Sequence, residues 1–237
     1  MNIKEEFIST LSHEIRTPLT SIKGFLQTLI SNWDLLDENK KKEFLKIALN
    51  QSNRLIDLVE NVLSVAKIDS SEDSFVLLKV DFNKLIDNCI KVIKMNYKDY
   101  EFDFIKGKEL FCYCDDYKTQ QIILNILDNA AKYSINSKKI EIKTYSNKDY
   151  NVCSIKNYGS FIEDKDKEKI FDKFYRIDSY LKTTTQGSGL GLYIANNLAK
   201  KMRGRIELIS DKKDSMVEFL VYLPAFDVEK STKIIGE

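Results

Sequence analysis

The only histidine of the chain, His13, stands beside residues that can handle its proton. Glu14 follows it directly and can orient the ring or accept a proton, and Thr17, one helical turn further on, carries a hydroxyl that can position a water. A neutral imidazole with one free ring nitrogen is a competent nucleophile. Pro18 then lies inside the same helical pattern, where proline costs about 3 kcal/mol. Taken by itself, a lone histidine of this kind is more often an ordinary surface residue, although a broken local rule is typical of functional sites.

A second group of polar side chains lies more than 100 residues later, on one face of a predicted helix. Asn125 and Asn129 are four residues apart, and Lys132 follows three residues after Asn129. An amide oxygen is a hard ligand suited to Mg²⁺, and lysine supplies a point charge for phosphate. Spacing alone leaves an ordinary polar helix face equally possible.

A glycine-rich stretch, residues 187–191, precedes another predicted helix. Glycine lets backbone N–H groups approach a phosphate closely, and the N-terminus of the following helix favours anions. A lone glycine-rich turn is weak support for a nucleotide site.

The string F-x-x-x-x-S-H-E-I-R-T-P-L, residues 7–19, resembles the phosphoacceptor H-box of two-component sensor histidine kinases. Residues 121–134 resemble the N-box of that family, residues 170–176 the F-box and residues 187–192 the G2 box, in the expected order. The resemblance implies a helical hairpin that forms a dimeric four-helix bundle, followed by an α/β sandwich ATP-binding domain of the Bergerat type.

The resemblance also implies an activity. The chain would be a protein-histidine kinase that transfers the γ-phosphoryl group of ATP to His13, with Glu14 as the assisting base. The phosphoryl group would then pass to an aspartate of a response regulator. The pattern formed by Glu14 and Thr17 would serve the reverse dephosphorylation of that regulator.

ATP and Mg²⁺ are the implied cofactors. By the match, Asn129 holds Mg²⁺, Asn125 lies near it, Lys132 meets phosphate and Tyr133 packs beside the nucleotide. The glycine-rich residues that hold the phosphates would be Gly187, Ser188, Gly189, Leu190 and Gly191.

Between the N-box and the G2 box, the resemblance implies a mobile lid. Phe171 and Phe174 would anchor it, although ordinary core packing explains them equally well. Arg176 is a candidate phosphate contact, and residues 179–186, polar and rich in threonine, would be its flexible part.

One box departs from the family pattern. Where the family has D-x-G-x-G, this chain has Asn157, Gly159 and then Phe161 in place of the second glycine. Asn157 keeps a carbonyl oxygen that can accept a hydrogen bond from the adenine amino group, but it lacks the charge of aspartate. We expect adenine recognition to be retained with lower affinity, and Phe161 to stiffen the turn.

The elements that must position these residues follow from hydrophobic spacing. Apolar residues recur every three or four positions through 3–30 and again through 44–68, which predicts two long helices joined by a loop at 32–39. Such a hairpin cannot bury a wide apolar stripe alone, so we predict a homodimer through residues 1–69.

After a polar linker at residues 70–74, short strand-like runs alternate with helical ones, which predicts an ATP-binding α/β sandwich over 75–225 and a loose tail over 226–237. The predicted strands are 75–80, 101–105, 109–114, 139–145, 151–157, 205–209 and 215–223. The predicted helices of this domain are 82–95, 116–134 and 190–202.

Composition excludes several other classes. With 37 basic and 36 acidic residues, the net charge of +1 gives no field that would recruit nucleic acid. The four cysteines form no C-x-x-C pair and fit small buried hydrophobes of a reducing compartment better than a zinc site. No apolar run approaches the ~18 residues of a membrane span. We therefore expect a cytoplasmic protein, or the cytoplasmic part of a sensor whose N-terminal region reaches the membrane.

Two other functions remain as alternatives. The chain could be a non-catalytic dimeric signalling module whose nucleotide site is too weak to work, or another ATPase of the same nucleotide fold, of the gyrase or chaperone type. The latter proteins lack an H-box.

Overall fold

The computed structural model describes residues 3–70, 74–159, 161–177 and 187–226. The chain divides into two compact units, Met1–Asp69 and Ser70–Glu237. None of the described helices combines the length and the apolar character that a membrane crossing requires.

The first unit is a hairpin of two long helices, α1 (Ile3–Ser31) and α2 (Glu38–Ser70). Asp37 caps the N-terminus of α2, because its side chain accepts a hydrogen bond from the backbone N–H of Lys40 at 2.8 Å. Phe25 and Phe44 pack across the hairpin with ring centroids 5.3 Å apart. Pro18 is buried inside α1, and the helix continues past it.

Both helices also keep large apolar side chains in solvent, so the hairpin leaves part of its apolar surface uncovered. These side chains are Ile8, Leu19, Leu26, Ile30, Leu45, Leu49, Ile56, Val59 and Leu63.

The second unit contains a five-stranded sheet in the order β2-β4-β5-β7-β6. The β2–β4 pair is parallel and the other three pairs are antiparallel. A separate antiparallel pair is formed by β1 and β3. The strands are β1 (Leu78–Asp81), β2 (Glu101–Ile105), β3 (Phe111–Cys114), β4 (Lys139–Asn147), β5 (Tyr150–Tyr158), β6 (Arg205–Asp211) and β7 (Met216–Pro224).

Three helices complete this unit: α3 (Phe82–Asn96), α4 (Asp116–Lys132) and α5 (Gly191–Lys201). The side chain of Asp81 caps α3, and that of Asp115 caps α4 by accepting from the N–H of Lys118 at 3.0 Å. α4 packs against both α3 and α5, and contacts β5. This is the predicted α/β layering, with a helical turn at Lys169–Phe171 between β5 and α5.

Several predicted boundaries shift. Glu109 has a positive φ of 35°, which strand geometry does not allow, so β3 begins at Phe111. Ser70, assigned to the linker, still belongs to α2. Phe226, assigned to the tail, donates its backbone N–H to the carbonyl of Phe111 at 2.7 Å. The rest of the predicted tail and residues 71–73 lie outside the described residues.

All four cysteines are buried and none forms a disulfide. Burial raises the pKa of the Cys89 thiol from 9.0 to about 12 and that of Cys114 to about 11. Burial likewise raises the pKa values of Cys112 and Cys153. Thiols held protonated in this way are poor nucleophiles and poor metal ligands.

Candidate phosphoacceptor and nucleotide sites

His13 lies on α1 with its side chain exposed. The next residue, Glu14, is half-buried, and its carboxylate accepts from Arg54 of α2, with Nη2 and Oε2 3.3 Å apart. Sequence analysis missed Arg54, because the pairing register of two helices cannot be obtained from the hydrophobic period of either one. The ion pair holds the carboxylate that follows the histidine against the second helix.

The helix backbone is altered around His13. Because Pro18 has no N–H, the carbonyl of Glu14, four residues earlier, receives no helical hydrogen bond from it. The hydroxyl of Thr17 donates to the carbonyl of His13 at 3.2 Å. Side-chain bonds of this kind bend helices slightly. A hydroxyl that donates in this way still has lone pairs with which to accept from a water.

The N-box and the G2 box meet in the second unit where α4 packs against the start of α5. A Cβ placed on Gly191 would lie 3.2 Å from Oδ1 of Asn125, so the two residues are in contact. Nδ2 of Asn125 is buried and has no hydrogen-bond partner among the described residues. Since buried amide groups are nearly always paired, this atom indicates a site that is completed by another molecule.

Lys132, expected to meet phosphate, is held by a carboxylate of its own helix. Its Nζ lies 2.5 Å from Oδ2 of Asp128, and Tyr97 donates its hydroxyl to Oδ1 of Asp128 at 2.8 Å. Burial and the neighbouring Asp128 raise the pKa of Tyr97, so the phenol stays a donor. The spacing of Asp128 and Lys132, four residues apart, is a sequence signal for this pair. Nothing in the sequence points to Tyr97.

The other predicted nucleotide residues lie around the same helix ends. Asn129 is half-buried one turn after Asn125 on α4, and Tyr133 is the C-cap of that helix. The hydroxyl of Ser188 accepts from the N–H of Leu190 at 3.4 Å. Arg176 is half-buried in the segment before the lid. The flexible part assigned to residues 179–186 lies outside the described residues.

Gly189 joins the G2 box to the F-box. It has a φ of +69°, and a Cβ there would lie 2.8 Å from backbone atoms of Phe174. The N–H of Phe174 donates to the carbonyl of Gly189 at 3.0 Å. Phe174 itself has a φ of +62°, which is rare for a bulky residue. The two boxes are therefore fixed to each other through main-chain contacts.

Asn157 lies on β5 and is only 2% exposed. Its Nδ2 is the second buried amide nitrogen that lacks a hydrogen-bond partner in the described part of the chain. Gly159, two residues later, has a φ of +136°, and a Cβ there would lie 2.3 Å from the backbone nitrogen of Ile135. The loop after α4 therefore requires glycine at this position whether or not a nucleotide also contacts it.

The residue types fit a magnesium nucleotide. No group of three or more histidine, cysteine, aspartate or glutamate side chains is placed to hold a metal within the described ranges. The amide oxygens of α4 supply at most a few neutral ligands, whereas Mg²⁺ takes six oxygens and commonly keeps waters and phosphate oxygens among them. These amide oxygens therefore suit a Mg²⁺ ion whose remaining ligands are phosphate oxygens and waters.

Two family models match the parts of the chain that contain these residues. A family model described as "His Kinase A (phospho-acceptor) domain" matches residues 3–71, and one described as "Histidine kinase-, DNA gyrase B-, and HSP90-like ATPase" matches residues 114–226. The chain belongs to the sensor histidine kinases. Because the phosphoacceptor domain accompanies the ATPase domain, the alternative of a gyrase- or chaperone-type ATPase is wrong.

The relatives of this histidine kinase include the signal transduction histidine-protein kinase ArlS of Staphylococcus aureus (strain USA300), which is 35% identical over 211 residues. That match covers 89% of this chain and 47% of ArlS. The chain thus spans about half the length of the curated relatives that it matches.

Solved structures of histidine kinases share the fold. Acinetobacter baumannii AdeS matches with a TM-score of 0.71 at 22% identity, covering 91% of this chain and 98% of that one. ThkA, solved in complex with the response regulator protein TrrA, matches with a TM-score of 0.73 at 23% identity, covering 93% and 61%. These likenesses confirm a helical hairpin followed by an α/β domain.

Proposed function

We propose that this chain uses ATP to phosphorylate His13 and passes the phosphoryl group to an aspartate of a response regulator. The observation that carries the proposal is the exposed imidazole of His13, followed directly by a carboxylate that Arg54 holds in place. The matches to a phosphoacceptor domain and to an ATPase domain support it.

The chemistry requires mainly positioning and charge neutralisation, because phosphoryl transfer passes through a loose transition state. The unprotonated ring nitrogen of His13 attacks the γ-phosphorus, the bond to the β,γ-bridging oxygen breaks, and ADP leaves. Glu14, held by Arg54, orients the ring and takes the proton from its other nitrogen as positive charge develops. Bound Mg²⁺ would neutralise phosphate charge in this step.

The nucleotide site would be built from α4 and the start of α5. Asn129 would supply the amide oxygen for Mg²⁺, with Asn125 beside it and Lys132 turning from Asp128 towards phosphate. Gly187 to Gly191 would present backbone N–H groups to the phosphates. Nδ2 of Asn125, buried and unpaired within the described ranges, supports a polar occupant at this place.

A response regulator is the proposed partner, and the structure of ThkA with the regulator TrrA supports this choice. We also propose phosphatase activity towards the phosphorylated regulator, with the hydroxyl of Thr17 positioning the water. Thr17 lies one turn from the exposed His13, so one surface would serve both reactions.

A homodimer through the helical hairpin is part of the same proposal. The apolar side chains that the hairpin leaves exposed need a partner surface, and a second copy would bury them in a four-helix bundle. Sedimentation at micromolar concentration should give a dimer, and a monomer would remove this part. We place the dimer in the cytoplasm, with membrane attachment only through a region before the hairpin.

The kinase proposal is tested by incubation with Mg²⁺ and γ-labelled ATP. The chain should acquire a label that is labile in acid and stable in base, and His13→Gln should abolish it. Gln27→Ala, at an exposed position of the same helix, is the matched control and should keep the label. Label that survives in His13→Gln would refute the assignment.

The second candidate is a non-catalytic dimeric signalling module. Asn157 favours it, because a neutral amide replaces the aspartate of the family pattern. Calorimetry with Mg²⁺-ATP separates the two: measurable binding supports the kinase, and no binding at millimolar ATP supports the module.

A further inference from the structure

The side chain of Asn157 has an unusual setting for a neutral amide. It is 2% exposed, and its Nδ2 finds no hydrogen-bond partner among the residues that the structure describes. Its cross-strand neighbours are Ile140 of β4 and Val217 of β7, both apolar and buried. An unpaired buried amide costs about 1–3 kcal/mol, so a ligand that satisfies it gains that free energy.

The backbone that carries Asn157 is fixed. β5 is paired on both sides by β4 and β7, and Gly159 donates its N–H to the carbonyl of Ser215 at 2.7 Å. Rotation of the carboxamide about its last torsion exchanges Oδ1 and Nδ2 without moving this backbone. No hydrogen bond from Nδ2 to the described residues holds the amide in one of these two orientations.

A carboxamide and a carboxylate recognise different purine edges. Adenine presents a donor at N6 and an acceptor at N1, whereas guanine and hypoxanthine present an acceptor at O6 and a donor at N1. A carboxylate only accepts, so an oxygen that pairs with the adenine amino group at C6 would repel O6 at the same position. An asparagine side chain donates and accepts at once, so it can pair with either edge after a half-turn.

We propose that Asn157 makes this nucleotide site accept 6-oxopurine triphosphates, such as GTP and ITP, as well as ATP. This inference rests on the proposed function, namely that the site binds a purine nucleotide, and on the placement of the base against Asn157 that the family resemblance implies. Asn157 is then the residue that sets base specificity. Aspartate at the same position would restrict the site to adenine.

The test measures dissociation constants of the whole chain for ATP, ITP and GTP in Mg²⁺ by calorimetry. ITP is the decisive probe, because its base carries the O6 and N1–H edge of guanine without the 2-amino group that could clash. For the unchanged chain, the dissociation constant for ITP should be at most about tenfold larger than that for ATP. A tenfold difference corresponds to the low end of the cost of leaving a buried polar group unpaired. Weaker binding of ITP than this would overturn the inference.

Asn157→Asp should widen the ratio between ITP and ATP at least tenfold, because O6 then faces a carboxylate. A smaller change would overturn the inference. Asn157→Ala is a second variant, which tests the inference even if the buried aspartate of Asn157→Asp prevents folding. It should weaken ATP and ITP by similar factors, and selective loss of ATP alone would show that the amide pairs only with adenine.

The outcomes separate the inference from the function on which it rests. If the unchanged chain binds none of the three triphosphates, the proposed function fails and the inference fails with it. If it binds ATP and acquires label on His13 but rejects ITP, only the inference fails.

Discussion

Replacing Gly189 by alanine should destabilise the second unit through two separate effects. At a φ of +69°, an L-residue with a Cβ costs about 1–2 kcal/mol relative to glycine. The new Cβ would also lie 2.8 Å from the Cα and carbonyl carbon of Phe174, well inside the optimal carbon–carbon distance of about 3.5–4.0 Å. These are main-chain atoms, held by the hydrogen bond from Phe174 to Gly189, so they yield only with a shift of the backbone.

Overpacking of this kind costs about 1–3 kcal/mol. Together the two effects predict a loss of roughly 2–5 kcal/mol in the free energy of unfolding. Because the contact joins the G2 box to the F-box, nucleotide affinity should fall in the same variant. Urea unfolding followed by circular dichroism gives the first quantity, and titration with Mg²⁺-ATP gives the second.

Two neighbouring glycines serve as matched controls. Gly187→Ala places its Cβ where nothing among the described residues lies within 4 Å, so its stability should stay within about 0.5 kcal/mol. Gly191 has no left-handed backbone, and the nearest atoms to the Cβ of Gly191→Ala would belong to the side chain of Asn125, with Oδ1 at 3.2 Å. This variant should therefore lose nucleotide affinity more than stability. Equal stability losses in Gly187→Ala and Gly189→Ala would refute the reasoning.

Three further changes test other contacts. Tyr97→Phe removes the hydrogen bond to Asp128 and should cost about 1 kcal/mol in urea unfolding; unchanged stability would show that the bond contributes nothing. Arg54→Met should change stability by less than about 1 kcal/mol, since the ion pair is partly exposed, yet slow the labelling because Glu14 loses its support; an unchanged rate would contradict this. Burial raises the pKa of the Cys89 thiol from 9.0 to about 12 in the folded chain. The stability that depends on this protonated thiol is therefore fully present below pH 9.0 and is lost as the pH rises towards 12. Cys89→Ala should make the fall in stability between pH 9 and 11 shallower, as followed by unfolding at each pH, and an equally steep fall would exclude the thiol as its cause.

Local patterns predicted the elements well, because each helix and most strands carry their own hydrophobic period. The two long helices and α4 follow from apolar spacing, and the boxes mark the helix faces that we assign to the proposed site. The contact between Asn125 and Gly191 follows from the resemblance to a known order of motifs, not from their separation in the sequence.

The features that could not be predicted from the sequence depend on contacts between distant parts of the chain. The hydrophobic alternation of a strand shows which of its faces is buried, but not which strand lies beside it. The order of the five strands and the parallel β2–β4 pair therefore could not be predicted from that alternation. Glu14 and Arg54 lie on different helices, and Asp128 of α4 pairs with Tyr97, the residue that follows α3, so neither pair follows from the pattern of one helix. Gly159 has a structural role that the sequence did not indicate, because a Cβ there would overlap the backbone of the loop at Ile135.

The position of β7 within the sheet has a consequence for synthesis of the protein. β7 (Met216–Pro224) is the last strand in the sequence, yet it lies between β5 and β6 and pairs with both along its length. A nascent chain that has reached only Asp211 therefore has β5 with one edge open and β6 without a neighbour. Until residue 224 leaves the ribosome, the apolar side chains of β5 have no sheet partner on that side, and unpaired strand edges template aggregation. The ATP-binding unit must therefore complete its sheet after nearly all of its residues have been synthesised, whereas the helical hairpin can form much earlier.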